Sequence, residues 1–486
     1  MTTSSLIHAC AIALLASACC SASEDNLYEG VPFEMPRIQL PSIPNRSVCL
    51  TDFGAVGDGV TLNTEAFAKA IDHLAGLGGG RLEVPAGIWF TGPIGLQSHI
   101  ELHLDKDAVI VFSTDQSLYP IIDTNFEGLD VRRCLSPLHA EGATDIAITG
   151  KGVIDGNGDA WREVKRRKVG DDTCKTILKR GGVLSEDGSV WYPDEGYMAA
   201  RKTAGSLNFQ DQSLDEEWIK TFLRPVMLSF RNCERVLLED TSFQNSPCWN
   251  LHPLWCKDVT IRNISVRAPH YSTNGDGIDI EGCENVILTG SSFDVGDDAI
   301  CIKSGKDADG RRHAKPCKNL IIKDCTVYHG HGGFVVGSEM SGGVENIWVS
   351  GCRFLGTDVG LRFKSTRGRG GVVKNIWCDH IYMKDIVSYG VIFNLYYAGV
   401  AASDKGDDDT ADVQPVDETT PEFRDMHMSD IVCSGAKQAI FVNGLPEMPV
   451  TNLDFRKSIF TAQKGAEVHF AKNVTFDNVI VNGETL

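Results

Sequence analysis

Short runs of β-branched and aliphatic residues, separated by turn residues, recur along most of this chain. Six of them share one pattern, in which an apolar residue and two mostly polar ones lead into a strand-forming segment. They are CERVLLEDTSF, CKDVTIRNISV, CENVILTGSSF, CKNLIIKDCTV, VENIWVSGCRF and VKNIWCDHIYM, starting at residues 233, 256, 283, 317, 344 and 373. No helical pattern of about 10–15 residues intervenes, which argues against βα units. A strand-only repeat of about 20–50 residues predicts a solenoid or a propeller.

The variable coil length, with one such strand per coil, favours a right-handed parallel β-helix. We therefore predict an all-β, single-domain chain of this class. The third position of the last four runs is asparagine, at Asn285, Asn319, Asn346 and Asn375. Stacked coils would bring these four amides to one turn, where they can hydrogen-bond along the axis.

A helix is predicted ahead of most of the strands. Asn63 or Thr64 can cap it, apolar residues from Phe67 to Leu74 follow helical spacing, and Gly76 ends it. Such a helix would close the end of the β stack and protect an exposed edge.

The remaining sequence divides into a lead-in, one long domain and two insertions. Residues 24–46 are Pro-rich and irregular, and we assign 47–486 to the β-helix domain. The insertion at about 157–222 is partly helical in its spacing, whereas the one at 401–422 is acidic. Neither has the pattern of a separate domain, but either could wall off a binding groove.

The first 23 residues predict export. They contain no Lys, Arg, Asp or Glu, and Leu6–Ala18 is a mostly apolar run too short to cross a membrane. We expect a signal peptide at 1–23 and a periplasmic or secreted protein. Ala18-Cys19 also fits a lipoprotein cleavage site, so an outer-membrane lipid anchor is an alternative.

Composition excludes some partners and cofactors. The net charge of −19 argues against nucleic acid. Charges act over only about 8–10 Å in ordinary salt, so a local cationic cluster can still bind an anionic substrate. Of sixteen cysteines, three lie in the predicted signal, and the rest form no CxxC pairs, which argues against a zinc site or a complete disulfide framework. We expect no metal, no cofactor and a monomer.

Four consecutive coils each carry one charged or polar cluster. The clusters are Asp276 in NGDGID, Asp297 and Asp298 in GDDAICIKSG, His331 in HGHGG, and Arg362 with Lys364 in GLRFKS. Asp297 lies 12 residues after Asn285, and His331 lies 12 residues after Asn319. Both should therefore occupy one corner of the stack, one coil of about 4.8 Å apart.

Three carboxylates at one corner should repel, so that at least one pKa rises and a proton is held near neutral pH. Ionised neighbours can then hold a water, as acid/base hydrolysis of a glycosidic bond requires. Arg362 and Lys364 lie two apart in a strand and leave the same face, which fits a carboxylate-bearing sugar. Asp279 follows Asp276 by three residues, so we expect it on the other face in a supporting role.

Three further residues are candidates for substrate binding. Lys303 follows the Asp pair and adds to the positive cluster. His252 lies one coil before Asp276, and Tyr397 lies one coil beyond the cations, where it can stack on a sugar ring. The alternative for His252 is a packed coil corner, and the alternative for His331 is a turn.

Together these motifs resemble those of a known enzyme family. NGDGID, GDDAICIKSG, GHGG and RFK look like the four motifs of the polygalacturonases, glycoside hydrolase family 28. The opening DFGAVGDGV…NTEAF…GGGRLEVPAG resembles the N-terminal signature of that family. The resemblance covers about residues 47–480. It implies a right-handed parallel β-helix and inverting hydrolysis of α-1,4-galacturonosyl bonds in pectin.

The resemblance also implies a role for each site residue. Asp297 would be the general acid, Asp276 and Asp298 would hold the attacking water, and His331 would support the acid. The two cations of the fourth cluster would bind the galacturonate carboxylate. Inverting geometry calls for carboxyl groups about 6.5–9.5 Å apart, which Asp276 and Asp297 on adjacent coils can reach.

Two departures from the family pattern concern substrate details. Gly275 stands where the commonest form has threonine, and GHGGFVVGS has one extra residue between GHG and GS. Both resemble the bacterial, often exo-acting branch, so we expect an exported pectin-degrading hydrolase with exo preference. The alternatives are a Ca²⁺-dependent pectate lyase, a rhamnogalacturonan or xylogalacturonan hydrolase, and a non-catalytic β-helix glycan-binding protein.

Overall fold

The computed structural model describes the chain in three ranges. They are residues 26–204, 213–397 and 413–486. The predicted signal peptide at 1–23 lies outside them, as do residues 205–212 of the first insertion and 401–412 of the second. Met1–Arg37 and Ile38–Leu486 form separate compact units. No helix in the three ranges is both long and apolar enough to span a bilayer.

The main unit is a parallel β-helix in which a full coil contributes one strand to each of three faces. Each strand pairs in parallel with the equivalent strand one coil later, as Lys257 pairs with Glu284 and Glu284 with Lys318. Within the described ranges the first two faces and the short strand Glu484–Thr485 form one 24-stranded sheet, and the third face is an 11-stranded sheet. Right-handed crossovers are the rule for parallel strands.

The strands have the following bounds. The first face contains Ser47–Cys49, Gly80–Val84, Ile100–Leu104, Thr144–Gly150, Glu234–Glu239, Lys257–Arg262, Glu284–Thr289, Cys317–Lys323, Val344–Ser350, Val372–Asp379, Glu422–Ser429, Val450–Thr461 and Ala471–Val481, the last two continuing into the second face. The second face contains Gly87–Thr91, Ala108–Phe112, Val153–Asp155, Ser242–Gln244, Ser265–Arg267, Ser292–Asp294, Thr326–His329, Arg353–Leu355, Tyr382–Lys384 and Val432–Ser434. The third face contains Ile94–Gly95, Leu138–Glu141, Leu228–Arg231, Leu251–Leu254, Ile278–Glu281, Ile300–Lys303, Phe334–Val336, Val359–Lys364, Tyr389–Asn394, Gln438–Asn443 and Lys464–His469.

The other elements lie at the ends or in excursions. The remaining strands are Ile121–Phe126, Leu129–Cys134, Val164–Lys165, Val183–Leu184, Val190–Tyr192 and Glu484–Thr485. The α-helices are Thr64–Gly76, Asp171–Leu178, Glu195–Ala204 and Asp307–His313. The 3-10 helices are Leu50–Phe53, Gln116–Leu118, Gly158–Ala160 and Arg166–Lys168.

One continuous apolar core fills the stack. Successive strand residues alternate between inside and outside, so Ile300 and Ile302 are part of the core whereas Lys303 points outward. The cysteines that open the repeats occupy one inward column of buried free thiols. They are Cys233, Cys256, Cys283 and Cys317.

The asparagine ladder predicted from the repeats is confirmed. Asn319 donates from Nδ2 to Oδ1 of Asn285, Asn346 to Asn319 and Asn375 to Asn346, each at 3.1 Å. Asn285 in turn donates to Oδ1 of Asp258 at 2.8 Å. All five residues have φ between 56° and 61°, a left-handed conformation that asparagine and aspartate tolerate better than most side chains.

The helix Thr64–Gly76 forms where the sequence predicts it. Phe67 and Leu74 are fully buried against the β stack. The predicted cap is wrong in one respect, because the Asn63 side chain does not bond the first turn of the helix. It instead joins a loop to the strand Gly87–Thr91, accepting from the Val56 N–H at 2.8 Å and donating to the Phe90 carbonyl at 3.1 Å.

Two excursions stand beside the third face. Ile121–Phe126 and Leu129–Cys134 pair as an antiparallel hairpin, here called the roof hairpin, which the sequence did not predict. The 157–222 insertion contains two of the helices and three short strands, which agrees with its partly helical pattern. Aromatic residues from the insertion, the roof hairpin and Trp249 of the β-helix pack in one cluster separate from the main core.

Candidate active site

Three aspartates meet where two neighbouring strands of the third face begin. Asp276 precedes Ile278–Glu281, and Asp297 and Asp298 precede Ile300–Lys303. Since Ile278 pairs with Ile300, Asp276 lies in register with Asp298 rather than with Asp297. One carboxylate oxygen from each of the three lies within 4.8 Å of the others. We call these three residues the carboxylate trio.

Glycine is required on both sides of Asp276. A Cβ at Gly275 would lie 1.9 Å from Oγ of Ser272, and one at Gly277 would lie 2.4 Å from the Ala299 carbonyl oxygen. Ser272 is held in place because its hydroxyl donates to the Pro269 carbonyl at 2.7 Å. The Gly275 departure therefore has a local cause: Ser272 fills the space that a threonine side chain would need.

His331 occupies the corner predicted for it, one coil beyond Asp297. Its backbone N–H donates to the Asp297 carbonyl at 2.9 Å, and its Nδ1 lies 3.0 Å from Oδ1 of Asp297. Its Nε2 lies 3.7 Å from Oδ2 of Asp358. His331 is therefore hydrogen-bonded to a member of the trio and is not merely a turn residue.

The two cations of the fourth cluster both bind Asp298. Nη1 of Arg362 lies 3.2 Å from Oδ1, and Nζ of Lys364 lies 2.7 Å from Oδ2. Tyr397 stands beside them, its ring centroid 4.9 Å from Nζ of Lys364 and 5.7 Å from Cζ of Arg362. The structure thus brings the predicted cations and Tyr397 together with the trio.

Asp279 corrects one expectation. Ile278 and Ile280 belong to the core, so Asp279 between them points outward, on the groove side. It is fully buried there because Nζ of Lys303 lies 2.9 Å from its Oδ1 and 3.5 Å from the ring centroid of Trp249. The prediction that Asp279 lies on the face opposite Asp276 is wrong, because Asp276 precedes the strand and strict alternation applies only within a strand.

His252 is not at the groove surface. Only 1% of its surface is exposed, its Nε2 lies 2.8 Å from Oε2 of Glu281, and its ring packs edge-on against Trp249. His252 is therefore part of a packed coil corner, and the prediction that it contacts substrate is wrong. Trp249 covers it.

The members of the trio differ in proton affinity. Burial raises the pKa of Asp276 well above its usual value, and the negative charge of Asp297 adds to the rise. Burial would also raise the pKa of Asp298, but Lys364 outweighs it and holds that pKa far below the usual range. The bond from His331 likewise outweighs burial and lowers the pKa of Asp297, while Asp297 raises the pKa of His331. Of the three carboxylates, Asp276 therefore has the highest affinity for a proton.

Access to solvent follows a different order from proton affinity. The Asp297 side chain is 23% exposed, whereas that of Asp298 is 3% exposed and Asp276 is buried. A substrate oxygen can therefore approach Asp297 most directly. The closest oxygens are nearer than the predicted spacing of about 6.5–9.5 Å. Oxygens about 4.8 Å apart can share one water at about 2.8 Å from each.

The trio has limited capacity for a metal ion. Ca²⁺ takes about six to eight oxygen ligands, and the trio offers three carboxylates. Both oxygens of Asp298 already bind Arg362 and Lys364. This donor set fits the predicted metal-free chemistry better than it fits a calcium site.

Lys168 reaches the site from the first insertion and was missed. Its carbonyl accepts from Nε2 of His270, close before Asp276 in the chain, at 2.9 Å. Burial lowers the pKa of Lys168, and the negative charge of Asp297 opposes that effect. The basic run KRRK at residues 165–168 was the signal that could have identified it.

Similarity to known proteins decides the family. The sequence profile described as "Glycosyl hydrolases family 28" matches residues 180–439. A "Probable polygalacturonase" of Vitis vinifera is 30% identical over 417 residues, covering 84% of this chain and 72% of that protein. The chain belongs to glycosyl hydrolase family 28. The "Exo-poly-alpha-D-galacturonosidase" of Dickeya chrysanthemi is 29% identical over 357 residues, covering 72% of this chain and 57% of that protein.

A solved structure agrees with this family 28 assignment. A hyperthermoactive exopolygalacturonase from Thermotoga maritima is 31% identical and superposes with a TM-score of 0.78, covering 95% of this chain and 96% of that one. The predicted right-handed parallel β-helix is confirmed, and this family 28 member is a glycoside hydrolase. The trio, His331 and both cations fall inside the matched range 180–439.

Proposed function

We propose that this family 28 hydrolase cleaves galacturonosyl bonds of polygalacturonate from a chain end. The observation that carries the proposal is Asp298, bound by both Arg362 and Lys364 beside two further carboxylates. The carboxylates for acid/base catalysis thus lie directly beside two cations that can bind the carboxylate of an anionic sugar. The polygalacturonase names of the Vitis, Dickeya and Thermotoga relatives support this substrate.

In this mechanism Asp297 protonates the leaving oxygen because it is the most accessible member of the trio. Asp276 and Asp298 hold the attacking water between them, and the ionised carboxylate of Asp298 accepts the proton that this water loses as its oxygen bonds the anomeric carbon. Asp297 gains its proton when substrate binds, since a sugar carboxylate brings negative charge next to Lys364. That charge offsets the cation that helps to lower the pKa of Asp297, so the pKa rises in the complex.

The water held by Asp276 and Asp298 attacks from the side opposite the leaving group, which predicts inversion at the anomeric carbon. Proton NMR of the first product formed tests this step. An initial product with retained configuration would instead mean that a carboxylate attacks as a nucleophile.

The proposal of chain-end attack is supported by the closed side of the groove. The Phe126 ring of the roof hairpin packs on Trp249, with centroids 4.5 Å apart. Trp249 lies in the coil directly before Asp276, because Leu251 pairs with Ile278. The groove is therefore covered about one coil, or about 4.8 Å, from the trio. That leaves room for about one sugar on this side.

The deciding experiment digests polygalacturonate and several rhamnogalacturonans and follows product size over time. Monomer from the first minutes supports chain-end attack on polygalacturonate, whereas a ladder of oligomers overturns it. New ultraviolet absorbance that EDTA abolishes would indicate a calcium-dependent lyase. Release of no reducing ends from any pectic polymer would favour a glycan-binding protein. The Asp297→Asn variant, which lacks the proposed general acid, is the inactive control.

For location and assembly, we propose an exported monomer. Support for export is the charge-free apolar start of the chain. Intact-mass analysis of the mature protein distinguishes cleavage near residue 23 from an acylated Cys19, the lipid-anchor alternative. Light scattering on the purified enzyme tests the monomer, which is expected at or somewhat below 52.9 kDa.

A further inference from the structure

The tip of the roof hairpin carries charged groups that the proposed mechanism does not use. Glu127 is in the turn, with φ of 49°, and its Oε2 lies 4.0 Å from Nζ of Lys306. Both side chains are mostly covered, at 17% and 19% exposed. An isolated surface pair would be more exposed, so this pair lies in a recess, just beyond the end of the strand Ile300–Lys303 that follows Asp297 and Asp298.

The hairpin tip is fixed against the β-helix backbone. The Lys306 N–H donates to the Gly128 carbonyl at 2.9 Å, and a Cβ at Gly128 would lie 2.5 Å from that nitrogen. Asp130 anchors the outer side of the hairpin through Arg312 at 2.7 Å and His313 at 3.0 Å. Glu127 and Lys306 therefore keep a fixed position relative to the trio.

More charge lines the same recess. Lys303 follows Ile302, which pairs with Val336, and a Cβ on the next residue, Gly337, would meet Oε2 of Glu339 at 3.0 Å and Cγ of Lys303 at 3.2 Å. The Glu339 carboxylate is thus beside Lys303. Burial raises the pKa of Glu127, and the charge of Glu339 adds to the rise, so Glu127 repels an anionic sugar less.

We propose that Glu127 and Lys306 bind the terminal galacturonate of the chain, at the end that bears a free C4 hydroxyl. Lys306 binds the sugar carboxylate, and Glu127 accepts a hydrogen bond from the C4 hydroxyl. This inference rests on the proposed chain-end hydrolysis and identifies which end is held. The attacked sugar lies on the water-holding side of the trio, and the hairpin covers that side through Phe126, which packs on Trp249 in the coil directly before Asp276.

The test uses two trigalacturonates, one saturated and one with a 4,5-unsaturated terminal ring that lacks the C4 hydroxyl. A site built to bond a substrate hydroxyl discriminates strongly against an analogue without it. The intact enzyme should favour the saturated trimer in kcat/KM by about 100-fold or more. Glu127→Met should reduce that ratio below about 10-fold, while Glu127→Gln, which keeps an acceptor oxygen, should retain most of it.

Asp123→Asn is the matched control, since this aspartate lies on the same hairpin with its side chain 95% exposed. It should leave the ratio unchanged. A melting curve of each variant separates loss of recognition from loss of folding. Lys306→Met provides an independent arm, with an expected rise of about 10-fold or more in KM for the saturated trimer.

The inference is wrong if the intact enzyme cleaves both trimers equally well, or if a folded Glu127→Met variant keeps the full ratio. Discrimination against trimers with a reduced, open-chain terminus instead would place the other chain end at the hairpin. These results differ from a failure of the proposed function. That failure would appear as an oligomer ladder from polygalacturonate or as no hydrolysis at all.

Discussion

Asp276 performs its role in a position that destabilises its charged form. Its raised pKa means that the folded protein binds a proton that the unfolded chain releases above about pH 4. The stability associated with this group is present below the unfolded pKa and is lost as the pH rises toward the folded pKa. Catalytic function and stability therefore conflict at this residue.

Asp276→Asn should accordingly raise the melting temperature at pH 7 by about 1–3 °C while abolishing activity. The gain should disappear near pH 3, where the aspartate is protonated in both states. Calorimetry at the two pH values measures it. A variant less stable than the parent at pH 7 would contradict the assigned pKa direction.

Asp297→Asn should reduce kcat by between about 10²- and 10⁴-fold with little change in the melting curve, because the amide cannot donate the acid proton. Asp294→Asn is a close control: Asp294 forms a similar pair with Nδ1 of His329, at 2.8 Å, but on the second face. It should retain full activity. Comparable loss in both variants would remove the acid role from Asp297.

Binding of an anionic sugar should also shift the pH profile. Added negative charge beside Lys364 favours the protonated form of Asp297, so the pKa of this acid is higher in the complex than in the free enzyme. The alkaline limb of kcat should therefore lie at higher pH than that of kcat/KM. Superimposable limbs would argue that substrate charge does not tune the acid.

At this scale the sequence located residues that are tied to the repeat. Counting from Asn285 and Asn319 placed Asp297 and His331 at one corner, and the 3.0 Å contact agrees. Counting failed for Asp279, because alternation holds only within a strand. Glu127 could not be found this way, since its position depends on contacts with a segment about 180 residues later.

At the scale of elements, the asparagine ladder joins coils that contribute to the active site. Asn319 both donates to Asn285 and accepts from Asn346. Asn319→Ala loses both hydrogen bonds. It also places alanine at a φ of 61°, a left-handed conformation that alanine tolerates less well than asparagine because it has no polar side chain to hydrogen-bond locally. We expect a cost of about 2–3 kcal/mol in the free energy of unfolding, measured in urea.

Asn319→Gly separates the two contributions. Glycine adopts this backbone conformation without strain, so the variant should lose only the bonds, at about 1–2 kcal/mol. Equal destabilisation by alanine and glycine would show that backbone strain is unimportant here.

The strands of the stack were predictable because each repeats a local pattern, whereas the roof hairpin was not. Its two-residue turn is Glu127-Gly128, with φ of 49° and 70°. Turns in which both φ angles are positive usually contain Asn-Gly or Asp-Gly. With glutamate in the first position, this turn lacks the sequence pattern that predicts a hairpin. Its pairing also differs from the surrounding coils, in which neighbouring strands are parallel.

For the whole molecule, burial should determine thiol chemistry. The described ranges hold thirteen cysteines with free thiols, and all but Cys49 and Cys174 are buried. Burial raises the pKa of Cys317 to about 12, which suppresses the reactive thiolate.

Brief treatment of the native enzyme with iodoacetamide should therefore label Cys49 and Cys174 first, whereas unfolding in urea should expose all thirteen. Peptide mass spectrometry locates the labels. A reductant should leave the melting temperature unchanged, and a marked drop would reveal a disulfide that this arrangement does not contain.

The roof hairpin leaves the stack between Ala108–Phe112 and Leu138–Glu141 and returns to the same coil. Its length can therefore change without altering the number of coils or the spacing of the catalytic residues. Mutations can therefore change the hairpin, which selects where along a polymer the enzyme acts, without changing the residues that break the bond. Within such a lineage, trimming and mid-chain cutting could interconvert through gain or loss of one surface excursion, with the chemistry unchanged.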